Sequence, residues 1–105
     1  MICVPVVFTP EAREQLSALY RWIAVEAGPE IARRYTEAVI SQCESLRSFP
    51  ERGTPRDDIR PGLRITSYRR RTVIAFAIEA DRVAIIGVFH GGQNYQVTLE
   101  PDDEG

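Results

Sequence analysis

His90 is the only histidine in a chain of 105 residues, and an imidazole is the side chain best suited to move protons near neutral pH. Tyr95 follows five residues later. Arg64, Arg69, Arg70, Arg71 and Arg82 supply guanidinium groups, which fork onto phosphates or carboxylates through paired N–H donors. An acid–base group beside such cations is sufficient for one metal-free reaction, attack of a ribose 2′-hydroxyl on the adjoining phosphodiester. That reaction needs a base for the hydroxyl, an acid for the leaving oxygen and positive charge for the phosphate. Glu44, Glu51 and Glu79 are the carboxylates available as bases, and no motif places any of them. The same residues have plainer uses. A histidine at a strand end hydrogen-bonds a loop backbone, a late tyrosine packs a C-terminal segment, and three successive arginines make a solvated turn or a docking patch for carboxylates. Trp22 either packs at the edge of a helical pair or offers an aromatic ring to a partner.

Charge is segregated along the chain. All 13 basic residues are arginine. Residues 51–71 hold seven of them against Glu51, Asp57 and Asp58, a net of +4, whereas Glu100, Asp102, Asp103 and Glu104 give the last six residues a net of −4. The net charge of −2 and a pI near 5.4 argue against a general phosphate binder, and point the basic stretch toward an acidic protein segment. The acidic tail can itself fold back on that stretch. Cys3 and Cys43 stand forty positions apart with no close-spaced ligand pair, so no metal site is predicted. They read as small buried hydrophobes in a reducing cytosol.

The length suits one domain, and 44% hydrophobic with 27% charged residues is a globular composition. No apolar run approaches the roughly 18 residues of a membrane span, and no basic-then-apolar secretory signal opens the chain. The expectation is a cytoplasmic domain over residues 1–99, followed by an acidic disordered tail over 100–105. No cofactor is expected.

Residues 2–8 read as a short strand, held to a sheet edge by Pro5, which has no N–H to donate. Thr9-Pro10-Glu11 is a helix start, with Thr9 as cap, Pro10 in the first turn and Glu11 against the positive helix end. Ala12, Leu16, Leu19, Tyr20, Ile23 and Ala24 then recur at helical spacing. Gly28 stops this helix and Pro29 opens a second, running to about Ser48, with an apolar face of Ile31, Tyr35, Ala38, Val39, Gln42 or Cys43, and Leu46. So short a connection makes an antiparallel helical hairpin. Phe49-Pro50 ends it, and residues 50–62 form a surface loop rich in proline, glycine and charge. The period then changes to two. Leu63, Ile65 and Ser67 alternate with Arg64, Thr66 and Tyr68, and Thr72–Ile78 and Val83–Phe89 complete a meander around a polar turn at 79–82. The predicted fold is α+β, in the order β-α-α-β-β-β, with the hairpin on one face of a small, mostly antiparallel sheet.

Four segments in this order resemble the RelE/ParE superfamily of type II toxins, closer to its ParE branch. Phe49-Pro50-Glu51-Arg52-Gly53-Thr54-Pro55-Arg56 is similar to the family's FPxxGxPR loop. Pro61-Gly62-Leu63-Arg64 is similar to its GLR opening. Tyr68 followed by Arg69, Arg70 and Arg71 precedes a hydrophobic strand, and Val88-Phe89-His90-Gly91 is close to its closing V-x-H-G. The likeness covers about residues 5–95. It implies a toxin held inactive by an antitoxin whose C-terminal segment wraps it. ParE-type members poison DNA gyrase, and RelE-type members cut mRNA on the ribosome. The chain departs from the RelE pattern in having no lysine, so the ParE reading comes first: a protein inhibitor whose partner contacts fall on Arg64, Tyr68, Arg69, Arg70, Arg71, His90, Tyr95 and Trp22. A RelE-like nuclease using His90, Tyr95 and Arg64 is the alternative, and a non-toxic antitoxin-binding relic is the third reading. A homodimer or a toxin–antitoxin hetero-oligomer is compatible with each.

Overall fold

The structure, a computed structural model, describes residues 4–69 and 71–90. Strand β1 (Val6–Phe8) leads through Thr9 into helix α1 (Pro10–Ala27), and helix α2 (Pro29–Glu44) follows at once. A single 3-10 turn (Ser45–Arg47) closes the second helix, followed by β2 (Thr54–Pro55), β3 (Leu63–Tyr68), β4 (Thr72–Ile78) and β5 (Val83–His90). The sheet order is β1-β5-β4-β3-β2. All pairings are antiparallel except β1 with β5, which is parallel because the helical hairpin carries the chain back over the sheet.

The helix boundaries follow local chemistry. The Thr9 side chain accepts from the Ala12 N–H at 3.1 Å and also donates to the Ile86 carbonyl at 3.3 Å, so one hydroxyl caps α1 and ties it to β5. Gly28 ends α1 and begins α2. Its φ of 101° is a conformation that side-chain-bearing residues resist, and it both donates to the Ala24 carbonyl and accepts from the Ala32 N–H.

The hairpin buries Ala12, Leu16, Leu19 and Ile23 from α1 and Ala32, Val39, Cys43 and Leu46 from the second helical segment. They meet Ile74, Phe76, Val83, Ile85 and Val88 of the sheet. Removing each large aliphatic or aromatic side chain from water is worth about 1.5–3 kcal/mol. Cys43 is a packed hydrophobe here, its thiol pushed up to about 12 by burial and by the neighbouring Glu44. Cys3 lies outside the described residues.

Three expectations need correction. Tyr20 and Ile31 are exposed, not in the hairpin core: the buried stripe of α2 is centred one residue later, on Ala32, Val39 and Cys43. The second helix turns 3-10 after Glu44 instead of continuing to Ser48. The loop at 50–62 contains β2, whose Thr54 and Pro55 pair with Ile65 and Arg64 and lengthen the sheet by a strand.

β5 carries a bulge. Ala75 pairs with Gly87 and Phe76 with Ile85, leaving Ile86 as the extra residue. The bulge shifts the side-chain alternation, so Ile85 and Val88 both face the helices while Ile86 and Phe89 join the opposite face.

Candidate functional site

Tyr68, Thr72 and His90 are cross-strand partners in one row over β3, β4 and β5. Directly opposed residues share a face, and this row faces the helices, where Tyr35 of α2 and Trp22 of α1 come down on it. The Tyr35 ring meets the Tyr68 ring edge-on at 5.3 Å and the His90 ring at 5.9 Å. The Trp22 ring lies 4.9 Å from that of His90, tilted by 55°. The four rings form one corner of the molecule, and Trp22, 53% exposed, is its outer wall.

Thr72 is wholly buried beneath this corner. Its Oγ1 lies 2.8 Å from Tyr35 Oη and 3.0 Å from His90 Nδ1. A hydroxyl has one proton to give. With Nδ1 of a neutral imidazole as acceptor, Tyr35 donates to Thr72 and Thr72 donates to His90. With Nδ1 protonated, both bonds reverse and every group keeps a partner. Burial, and secondarily the charge of Arg71, hold the His90 pKa below its ordinary value.

The cations stand outside the rings. Arg69 takes a φ of 54°, unusual for a residue with a side chain, and its guanidinium lies 5.4 Å over the Tyr68 ring. Arg71 closes the turn by donating its N–H to the Tyr68 carbonyl at 3.2 Å. Because Arg69 occupies a turn, strand alternation no longer relates it to Arg71. Arg70 and Tyr95 lie outside the described residues, as does the acidic tail.

Other candidates are placed elsewhere. Arg64 is four residues from Tyr68 on the same strand, about 13 Å away. Its guanidinium donates to the carbonyls of Glu51, Arg52 and Gly53, pinning the loop behind the 3-10 turn. On that loop Arg52 lies 5.5 Å over the exposed ring of Phe49. Arg82 belongs to the turn at the opposite end of the sheet and pairs with Asp81 at 3.1 Å and Glu79 at 3.6 Å. Sequence reasoning singled out Trp22, Tyr68, Arg69, Arg71 and His90, which the fold does gather. It missed Thr72 and the polar role of Tyr35, since nothing local announces a pairing between residues 18 and 37 positions from Thr72.

Among the described residues no group of His, Cys, Asp and Glu could hold a metal ion, and no helix is long and apolar enough to cross a membrane. The corner can stack apolar or aromatic groups and offer guanidinium donors to carboxylates or phosphates beside them.

A comparison with curated proteins gave no match. Among solved structures, the chain is similar to one described as the chromosomal ParDE toxin–antitoxin system from P. aeruginosa. The two share 22% identity with a TM-score of 0.75, over 85% of this chain and 97% of that one. It is also similar to a chain of the RelBE2 toxin–antitoxin complex from Mycobacterium tuberculosis, at 22% identity and a TM-score of 0.65, over 89% of this chain and 97% of that one. At such identities the likeness is one of fold. The family described as ParE toxin of type II toxin–antitoxin system, parDE, matches residues 6–95, the span from the first strand past the closing V-x-H-G segment. The chain therefore belongs to the ParE toxin family of type II toxin–antitoxin systems.

Proposed function

We propose that this chain arrests growth by binding a target protein, DNA gyrase by family likeness, and that a cognate antitoxin silences it in the cytoplasm. The observation that carries this reading is the construction of the corner: four interlocked rings, a half-exposed tryptophan and flanking arginines. Such an arrangement suits a protein partner that brings an apolar side chain beside a carboxylate. Arg64, the guanidinium first considered for phosphate binding, is engaged with three loop carbonyls instead. The two solved structures compared above come from toxin–antitoxin systems, which supports an antitoxin as one occupant.

One observation favours a second reading, a ribosome-dependent nuclease. His90 is held through Nδ1 by a buried hydroxyl, the manner in which an acid–base imidazole is oriented.

Pulse-labelling of DNA and protein synthesis in the first minutes after induction, without the antitoxin, separates the two. An early fall in DNA synthesis with an SOS response is expected. An early fall in protein synthesis with cut mRNA would establish the nuclease, and His90→Ala would then abolish toxicity at temperatures well below its own, lowered melting temperature. No effect on either would leave an antitoxin binder that poisons nothing.

A further inference from the structure

The polar link beneath the corner can run in either direction. Tyr35 Oη, Thr72 Oγ1 and His90 Nδ1 lie in series, at 2.8 Å and 3.0 Å. A hydroxyl both donates and accepts. A neutral imidazole can therefore accept the Thr72 proton, and an imidazolium can donate to Thr72, which then donates to Tyr35. Hydrogen bonding along this series does not decide the charge of His90. Its wider surroundings do.

Each neighbouring element contributes to those surroundings. From α1 comes the Trp22 ring at 4.9 Å, whose face attracts a cation. Tyr35 comes from α2, Tyr68 from β3 and Thr72 from β4, with Arg69 and Arg71 in the turn between the two strands. Glu26, one turn beyond Trp22, and Arg34, next to Tyr35, are exposed. Burial first, and then the charge of Arg71, favour the neutral ring.

A carboxylate arriving beside Arg71 reverses that balance. It offsets the guanidinium and favours a cation nearby. Covering Trp22 excludes water and strengthens the attraction of its face for the imidazolium. Deeper burial acts the other way. The imidazole is already flanked by Trp22 and Tyr35 and backed by the wholly buried Thr72, so a partner adds little burial.

We propose, on the reading of this corner as a protein-docking site, that an acidic partner segment docks there with uptake of one proton by His90, the Tyr35–Thr72–His90 link reversing its direction as it does so. The proton comes from solvent and resides on Nδ1. The Thr72 and Tyr35 hydroxyls rotate and keep their own protons. Docking therefore tightens as the solution becomes mildly acidic.

His90 is the only histidine, so NMR of the imidazole nitrogens in the labelled full chain reads its charge without overlap. The probe is the capped peptide Leu-Asp-Leu, with Leu-Asn-Leu as its neutral counterpart. Saturation with the acidic peptide is expected to move the imidazole titration upward by about one pH unit, and the neutral peptide should not. By linkage, the acidic peptide should bind several-fold more tightly at about pH 6 than at about pH 8, and equally at both in His90→Gln. With that peptide bound, Thr72→Val should titrate at lower pH than the parent, because the imidazolium loses its acceptor. Thr72→Ser keeps the oxygen and should titrate with the parent. Binding without an upward movement, equal movement with both peptides, pH dependence that survives His90→Gln, or a Thr72→Val titration like the parent's would overturn this proposal alone. Failure of the acidic peptide to bind would overturn with it the reading of the corner as a docking site.

Discussion

The Thr72 hydroxyl lies 3.0 Å from His90 Nδ1, with no part of Thr72 reaching solvent. One buried oxygen thus joins α2, through Tyr35, to the end of the last described strand. The ring cluster that Trp22 completes is built over that link, so the exposed corner rests on a buried polar contact.

Thr72→Val keeps the shape and removes the hydroxyl, leaving Tyr35 Oη and His90 Nδ1 without this partner. Losing two part-buried hydrogen bonds costs about 1–3 kcal/mol in all. For a domain of this size, that lowers the melting temperature by roughly 4–8 °C per kcal/mol. Thermal unfolding should show a clear loss for Thr72→Val and a smaller one for Thr72→Ser, which retains the oxygen.

His90 gives stability a pH dependence of known sign. Its folded pKa is lowered, first by burial and then by Arg71, so on acidification the unfolded chain takes up a proton before the folded one. The neutral folded form is fully favoured above the ordinary value of 6.5. Stability then falls as pH drops below 6.5, and levels off below the folded pKa. Urea unfolding at a series of pH values should show this slope in the parent and not in His90→Gln. An NMR titration of the imidazole should move upward in Arg71→Gln.

At the bulge, two residues close the edge of β5. Gly87 leaves room for the Phe89 ring, and a Cβ there would lie 2.6 Å from it. Gly87→Ala should cost about 1–3 kcal/mol through overpacking. Gln15→Leu removes the acceptor of the Val88 N–H and should cost about 1 kcal/mol. It also bares a strand edge able to pair with another chain. Light scattering against concentration should show self-association in Gln15→Leu and not in the parent.

Arginines of similar sequence context should separate by role. Arg64→Ala frees three loop carbonyls and should lower the melting temperature, with Arg64→Lys a poor substitute because one ammonium cannot reproduce the fork. Arg69→Glu and Arg71→Glu should leave the melting temperature nearly unchanged while weakening antitoxin binding at low salt. Trp22→Ala should weaken it by about 2 kcal/mol or more, roughly thirty-fold, as an exposed aromatic at an interface centre does. Calorimetric titration with the antitoxin and melting curves on the same samples distinguish the two classes.

What the sequence determined by itself was local in origin. Thr9-Pro10-Glu11 and Gly28-Pro29 mark helix ends through sterics and capping that act within a few residues. The change of period at Leu63 announces the meander because side-chain alternation is a property of a single strand. Hence the order β-α-α-β-β-β and the hairpin on one sheet face were legible, as was the family likeness carried by its loops. Tertiary structure decided the rest. The α2 stripe is wide enough in sequence to include Ile31, and the angle at which the helix meets α1 and the sheet leaves that residue in water. The parallel pairing of β1, the added strand β2 and the bulge at Ile86 each depend on partners distant in sequence. The candidate site depends on them most. Trp22, Tyr35, Thr72 and His90 come from four elements, and only strand register and helix docking, set by burial of the whole core, bring their side chains together.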